Sequence, residues 1–125
     1  MGYVRHNAII VIDHGYGDGI EEAHAMATKI FTAATDMNAD FGALVSPVIH
    51  SALNGYRSFY VAPDGSKEGW ESSDTGDLAR RQLRNWLHEH HERLGYVDFV
   101  EVEGFGGDDN HAEIANHSRA EGRDE

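Results

Sequence analysis

The most constraining feature of this sequence is the dipeptide Asn54-Gly55, which separates two runs of apolar and β-favouring residues. Both central residues of a type I′ turn need a positive φ angle, and Asn and Gly tolerate that conformation better than other residues do. The dipeptide therefore predicts a β-hairpin with strands at residues 43–53 and 56–62. Pro47 favours an edge position for the first strand, because proline has no N–H to donate to a neighbour.

Two other stretches have the period of amphipathic helices. Residues 20–34 place small and apolar side chains three and four positions apart, and Asp18 with Glu21 forms the pattern of a capping box. The second helix follows a polar loop, and either Asp74 or Thr75 can cap it. Its inward face is predicted to carry Ala79, Leu83, Trp86, Leu87 and His90.

Apolar runs at residues 7–12 and 97–102 predict a first and a last strand, with Gly95 ending the preceding helix. The order strand, helix, strand, strand, helix, strand predicts an α+β fold, a ferredoxin-like βαββαβ sandwich with a four-stranded antiparallel sheet and two helices on one face. Right-handed crossovers would place the first and last strands centrally. Residues 1–103 are predicted to form this single domain, and residues 104–125 an acidic, mobile C-terminal tail.

Apolar residues on both faces of the predicted hairpin bear on assembly. A two-residue turn would pair Ile49 with Tyr60 on one face and His50 with Phe59 on the other. A monomer needs only one buried sheet face, so the second face should be covered by another copy, by a partner or by the C-terminal tail. Scattered exposed tyrosines are the simpler alternative, and the pattern favours a homo-oligomer.

Composition narrows the class of protein. The 125 residues suffice for one domain, and the absence of cysteine excludes disulfide and thiolate chemistry and suits a reducing cytoplasm. No apolar run approaches the ~20 residues of a membrane helix, and the N-terminus lacks the pattern of a signal peptide. A cytoplasmic protein that does not enter a membrane is therefore expected.

The charge balance argues against direct nucleic-acid binding. Twenty-two acidic residues against ten basic ones give a net charge of −12, which repels a phosphate backbone. Five of the ten basic residues nevertheless lie between residues 57 and 84, so a local anion site is compatible with the acidic whole.

The candidate binding residues lie in this basic window and are Arg57, Ser66, Lys67, Trp70, Arg80 and Arg84. Cationic side chains beside a glycine turn and a helix N-terminus suit a phosphate or carboxylate group. Arg80 and Arg84 are one helical turn apart, and Trp70 could stack on a base. The alternative is a solvated loop in which these bases pair with neighbouring acids and Trp70 packs on Trp86.

Two further patterns bear on metal and phosphate chemistry. His88 and His91 have the helical spacing of two metal ligands, but a third ligand such as His14, His50 or His111 would be needed, and no metal or cofactor is predicted. Residues 15–19 form a glycine-rich link between strand and helix. They lack the Lys-Ser/Thr of a P-loop and contain acids, which favours a plain flexible turn.

Acid–base catalysis would require convergence of residues that are distant in sequence. Asp13, His14, His50 and Asp64 each fall at a predicted strand end or loop, but their spacing gives no reason for them to meet. No nucleophile, base and orienting group can be named together. The prediction is therefore a non-enzymatic protein with no assigned catalytic residue.

Several motifs around the hairpin resemble one protein family. They are YRSF at residues 56–59, APDGSKEGW at residues 62–70, and then Ser73-Asp74, Gly76-Asp77 and Arg80. Together with RHNAIIV at residues 5–11 and YVD at residues 96–98, they are similar to small, uncharacterised proteins encoded by bacteriophages of actinobacteria. The resemblance implies a phage origin and a host-cytoplasmic setting, and it transfers no catalytic residue.

The sequence thus predicts a small phage-encoded accessory protein that binds a host protein or a small anionic ligand without catalysis. Three alternatives remain open. They are a module that sequesters a nucleotide-like anion, a small metal-dependent enzyme that uses the histidines, and an acidic mimic of DNA.

Overall fold

The computed structural model describes residues 6–15, 17–37, 39–67, 69–105 and 112–118, which form an α+β arrangement with one antiparallel sheet. Its elements in chain order are β1 His6–Asp13, α1 Gly19–Ala34, a 3-10 helix Phe41–Leu44, β2 Ile49–His50, β3 Arg57–Val61, α2 Glu71–Glu89, α3 His91–Leu94, β4 Val97–Phe105 and β5 Glu113–His117.

The sheet has five strands in the order β2-β3-β1-β4-β5, and each neighbouring pair is antiparallel. The predicted count of four is therefore wrong. The additional strand, β5, comes from the segment that the sequence predicted as a tail, and it pairs with β4 through Val102 and Ile114. Ile114 is 62% exposed, so backbone pairing rather than burial holds β5, and the hydrophobic pattern gave no sign of it.

The hairpin turn has the predicted backbone but a different register. Asn54 and Gly55 have φ angles of 67° and 66°, which confirms the positive φ expected of both. Ile49, however, lies opposite Ser58 rather than Tyr60. The loop between the paired strands contains residues 52–55, because Ser51 N–H donates to the Tyr56 carbonyl at 2.8 Å. The shift is even, so each side chain keeps its predicted face.

The strand before this turn is much shorter than predicted. Residues 41–44 form the 3-10 helix instead, and only Ile49 and His50 belong to β2. The Asp40 carboxylate accepts a hydrogen bond from the Ala43 N–H and so caps the 3-10 turn, a local interaction that competes with strand formation. β2 does lie at the sheet edge, as Pro47 predicted.

Both long helices form, but their N-termini differ in detail from the prediction. Asp18 is the N-cap of α1 without a side-chain cap hydrogen bond, and Glu21 accepts from Arg57 at 2.8 Å, so the capping box is wrong. α2 begins at Glu71 with Trp70 as its N-cap. Asp74 therefore lies within the first turn, where its charge complements the helix dipole, and is not the cap.

The core lies between one sheet face and the helices. Its sheet side is formed by Ile9, Val11, Phe59, Val61, Val97 and Phe99, and its helix side includes Ile20, Phe31, Leu83 and Leu87. The inward positions of β4 continue beyond Phe99 as Glu101 and Glu103, so the apolar core gives way to polar groups at that end. Both long helices pack on this same face of the sheet. Among the described residues, no helix has the length and apolar character needed to span a membrane.

Candidate functional site

A polar pocket of about 250 Å³ lies where the apolar core ends, between α2 and the paired ends of β1 and β4. The helix contributes Ser73, Asp77, Arg80, Arg81 and Arg84, which recur at three- and four-residue spacing and so share one face. Asn7 from β1 and Glu101 and Glu103 from β4 line the other side, and the loop after β3 adds Asp64 and Ser66.

The floor of the pocket is a buried ion pair between Arg80 and Asp64. Arg80 Nη1 donates to Asp64 Oδ2 at 3.1 Å, and the two side chains are only 5% and 7% exposed. Arg80 Nη2 also donates to Asp77 at 2.5 Å. The backbone N–H and hydroxyl of Ser66 donate to the other Asp64 oxygen at 2.8 and 2.6 Å. Burying a charge pair is unfavourable unless such hydrogen bonds compensate, and here they do.

Asp64 remains ionised near neutral pH. Burial by itself raises the pKa of its carboxyl group, but the hydrogen bonds from Ser66 and the positive charge of Arg80 outweigh burial and lower the pKa below its ordinary value. Asp64 is therefore a poor proton donor for acid catalysis. It serves instead to hold Arg80 in place.

The position of Asp64 depends on a glycine in α2. A Cβ atom on Gly76 would clash with Asp64 Oδ2 and would lie 3.3 Å from Arg80 Nη1. The hydrogen at this position therefore allows a loop carboxylate to approach the helix closely. Gly76 is buried within α2.

A second ion pair closes the sheet side of the pocket. Arg84 Nη1 donates to Glu101 Oε1 at 2.7 Å, and Glu101 is 4% exposed. Arg81, by contrast, is exposed and makes no hydrogen bond or ion pair with any residue that the structure describes. It is thus a guanidinium group that lines the pocket with its donors available.

The pocket brings together three of the six predicted binding residues, Ser66, Arg80 and Arg84. Its lining carries the charges of three arginines and four acids, so it is not the purely cationic site that the sequence suggested. Its chemistry is mixed. Guanidinium groups can bind an anionic group, while carboxylate oxygens can accept hydrogen bonds from hydroxyl or amino groups.

Lys67 and Trp70 do not line this pocket. The Lys67 ammonium lies 5.9 Å from the centroid of the Trp70 ring, and Trp70 is 50% exposed. The ring of Trp86 contacts His90 at a centroid distance of 4.5 Å.

Arg57 belongs to the other end of the sheet. It donates to Asp13 at 3.1 Å, to Glu21 at 2.8 Å and to the Gly17 carbonyl at 2.6 Å. Asp13 ends β1 whereas Asn7 lies near its start, so the two ends are about 20 Å apart at ~3.3 Å per residue. Arg57 ties the glycine-rich link to α1 and does not join Arg80.

Of the histidines that the sequence singled out, His14 and His91 meet at Asp98, whereas His88 lies apart. His88 bonds to Asn116 at 2.9 Å, whereas His91 and His14 bond to the two oxygens of Asp98 at 3.0 and 2.8 Å. Within the described ranges, no group of three or more His, Cys, Asp or Glu residues is arranged to hold a metal ion. His111 lies outside those ranges.

The candidate acid–base set is only partly brought together: Arg57 of β3 lies opposite both Asp13 of β1 and His50 of β2, whereas Asp64 lies at the polar pocket. Arg57 donates a hydrogen bond to Asp13, and His14 is hydrogen-bonded to Asp98. Asp64 instead accepts a hydrogen bond from Arg80. These residues do not form one catalytic group.

Sequence reasoning missed six of the residues that line the pocket, which are Asn7, Ser73, Asp77, Arg81, Glu101 and Glu103. One signal was available, because the polar residues of α2 recur with helical spacing beside an apolar stripe. Another was the continuation of acids at inward positions of β4 after Val97 and Phe99.

No protein family, curated protein or solved structure matches this chain. Any functional assignment therefore depends on the geometry of the molecule itself.

Proposed function

We propose that this protein is a non-enzymatic binding protein whose polar pocket holds a small anionic ligand that also carries hydroxyl groups, such as a nucleotide or a sugar phosphate. The observation that carries the proposal is the position of Arg81, which lines the pocket between Arg80 and Arg84 and makes no hydrogen bond or ion pair within the described part of the chain. A guanidinium group binds phosphate through two parallel hydrogen bonds.

The carboxylates explain why the ligand should also carry hydroxyl groups. Asp77 is 57% exposed at the pocket, and its oxygens can accept hydrogen bonds from a ligand hydroxyl, as acidic residues do with ribose. The lining has one more acid than base, so repulsion increases with the negative charge of the ligand, and the site favours an anion of low charge with several hydrogen-bond donors. A volume of about 250 Å³ suits one small molecule.

The two buried ion pairs support binding by preorganisation. Arg80 and Arg84 are fixed by Asp64 and Glu101 before any ligand arrives, so little side-chain entropy is lost at the pocket floor on binding. The side chain of Arg81 is the one that would lose conformational freedom when the ligand binds.

A thermal-shift panel tests this function. Inorganic phosphate, ribose 5-phosphate and mono-, di- and cyclic nucleotides are added to the wild type, and at least one phosphorylated sugar or nucleotide should raise Tm. At 100 times Kd the stabilisation is about 2.7 kcal/mol, a shift on the order of 10 °C. Arg81→Gln should abolish the shift without changing Tm of the free protein, because the side chain is exposed.

Arg93→Gln is the matched control. It removes the same charge from an arginine paired with Glu22, away from the pocket, and should leave the ligand shift unchanged. If no anion raises the wild-type Tm, or if Arg81→Gln binds as tightly as wild type, the pocket is a structural ion-pair network and the proposal fails.

We further propose that the fold is of the ferredoxin-like type, extended by β5, and that the protein is a phage-encoded accessory protein of the host cytoplasm that forms a homo-oligomer. The order β2-β3-β1-β4 with helices in the two crossovers supports the fold assignment. The phage origin and the compartment depend on the resemblance of the motifs around residues 56–80.

A further inference from the structure

The sheet face opposite the helices is largely apolar, with Ser58, Asp98 and His117 as polar members. Pairing places Ile10 of the central strand between Tyr60 of β3 and Val100 of β4. Ile10 is 41% and Tyr60 38% exposed. At the sheet edges, Ile49 and Ile114 on the same face are 54% and 62% exposed. We call this surface the open face.

The open face has little charge that association would have to desolvate. Ile12 lies between Ser58 and Asp98, and Asp98 already accepts hydrogen bonds from His14, His91 and Ser118. These hydrogen bonds replace part of the hydration of the Asp98 carboxylate, so burying it in an interface costs less free energy than burying an unpaired carboxylate. Contiguous apolar surface of this extent usually marks an interaction site.

The chain has few other apolar groups with which to cover this face. Residues 106–111 contain no large apolar side chain, and residues 119–125 contain only Ala120 as an apolar residue. Residues 1–5 contain three large apolar residues, which are Met1, Tyr3 and Val4.

We propose that a second copy of this chain covers the open face, in a two-fold dimer whose central strands lie across each other near Ile10. The eight residues of β1 and the width of five strands give a projected area of about 500 Å² per copy, since β2 and β5 are short. Two copies would therefore bury about 1,000 Å² in total, which is near the lower limit for a specific interface.

The composition of the open face suits contact with a second copy of the chain. In a two-fold interface the same patch meets itself, which requires the patch to be free of a like charge at its centre. The open face meets that condition, with Ile10, Tyr60 and Val100 at its middle. The four acids that line the polar pocket then lie on the far side of the sheet in each copy.

Mass measurement across a concentration series tests the dimer. Sedimentation of wild type at 1–100 µM should show a dimer of the 13.8 kDa chain. Ile10→Lys places two ammonium groups near each other at the two-fold axis and should weaken dimerisation at least 100-fold. Tyr60→Asp should also weaken dimerisation. Because two different variants are used, a folding defect in one of them cannot by itself explain the result. Circular dichroism should show both variants folded.

Leu78→Lys is the matched control, because Leu78 is 46% exposed on α2 and lies away from the open face. It should dimerise like wild type. A cysteine test adds geometry, since the chain has no cysteine of its own. Ile10→Cys should form an intermolecular disulfide on mild oxidation, and Leu78→Cys should not.

A wild type that stays monomeric at 100 µM, or a dimer that survives both Ile10→Lys and Tyr60→Asp, would overturn the proposal. If the wild type is monomeric, a different protein becomes the expected partner of the open face. The dimer defines the interface of the proposed homo-oligomer and rests on that part of the proposed function, but it does not depend on the ligand site, so Arg81→Gln should dimerise normally. Loss of one property without the other therefore identifies which of the two proposals is wrong.

Discussion

Among single residues, Gly76 offers the clearest test of how the pocket is built. Alanine in place of glycine inside a helix usually stabilises a protein by about 0.5–1 kcal/mol. Gly76→Ala should do the opposite, because its Cβ would displace Asp64 from Arg80. We expect a loss of on the order of 2 kcal/mol in urea denaturation.

Gly17→Ala is a suitable comparison, since a Cβ at Gly17 meets nothing within 4 Å. It should leave stability nearly unchanged. Equal stability of Gly76→Ala and wild type would show that Asp64 does not depend on the close approach.

The pH dependence of stability should report on Asp64. Its pKa is lowered in the folded state relative to an unfolded value of about 3.9, so its stabilising contribution is fully present above that value and is lost as pH falls through the folded pKa. Asp64→Asn should cost about 3 kcal/mol at pH 7, because it leaves Arg80 buried with one fewer partner. The variant should also lose less stability than wild type below about pH 4.

Asp77→Asn separates this effect from a general loss of charge. Asp77 contacts the same arginine but is 57% exposed, so its replacement should cost much less. The measurement is urea denaturation of all three proteins between pH 3 and pH 7. Parallel pH profiles for wild type and Asp64→Asn would contradict the assignment.

At the scale of elements, the sheet should exchange amide hydrogens unevenly. β1 is paired on both sides, and Ile9 and Val11 are fully buried, whereas β2 and β5 lie at the edges with exposed side chains. Native-state exchange followed by NMR should give β1 the slowest amides and β5 much faster ones. Protection of β5 equal to that of β1 would show an additional cover over this edge.

Elements were predictable where a local signal and a tertiary requirement agreed. The spacing of small and apolar residues in α1 predicted its extent. Gly95, with a φ angle of 79°, ends the helical region as expected, but the predicted single helix is divided at His90 into α2 and α3. The positive φ angles of Asn54 and Gly55 were predicted for the same reason. Strand lengths and register were not, because they depend on which residues pair across the sheet.

The pocket was only partly predictable for a similar reason. Arg80 and Arg84 were found because they lie on one helix face, which the sequence displays directly. Their partners Asp64 and Glu101 come from a loop and a strand that only the folded chain brings near α2. Arg57 was grouped with them by proximity in sequence, but β3 carries it to the far end of the sheet.

At the scale of the whole molecule, the net charge of −12 opposes the proposed dimer. The salt dependence of dimerisation distinguishes this charge repulsion from the burial of apolar surface. Two copies together have a net charge of −24, which is twice the net charge of one chain. The contact itself is apolar at Ile10, Tyr60 and Val100. Added salt screens repulsion between exposed charges and leaves burial of apolar surface largely intact, since the Debye length falls from about 10 Å at 0.1 M to about 3 Å at 1 M.

Dimerisation should therefore strengthen as sodium chloride rises from 50 to 500 mM, by about tenfold in the dimer dissociation constant if screening recovers ~1.4 kcal/mol. Sedimentation at each salt concentration measures the change. A dimer held by ion pairs between the copies would weaken over the same range, because screening removes attraction as well as repulsion. Weakening in salt would place the interface on a charged surface of the helices rather than on the open face.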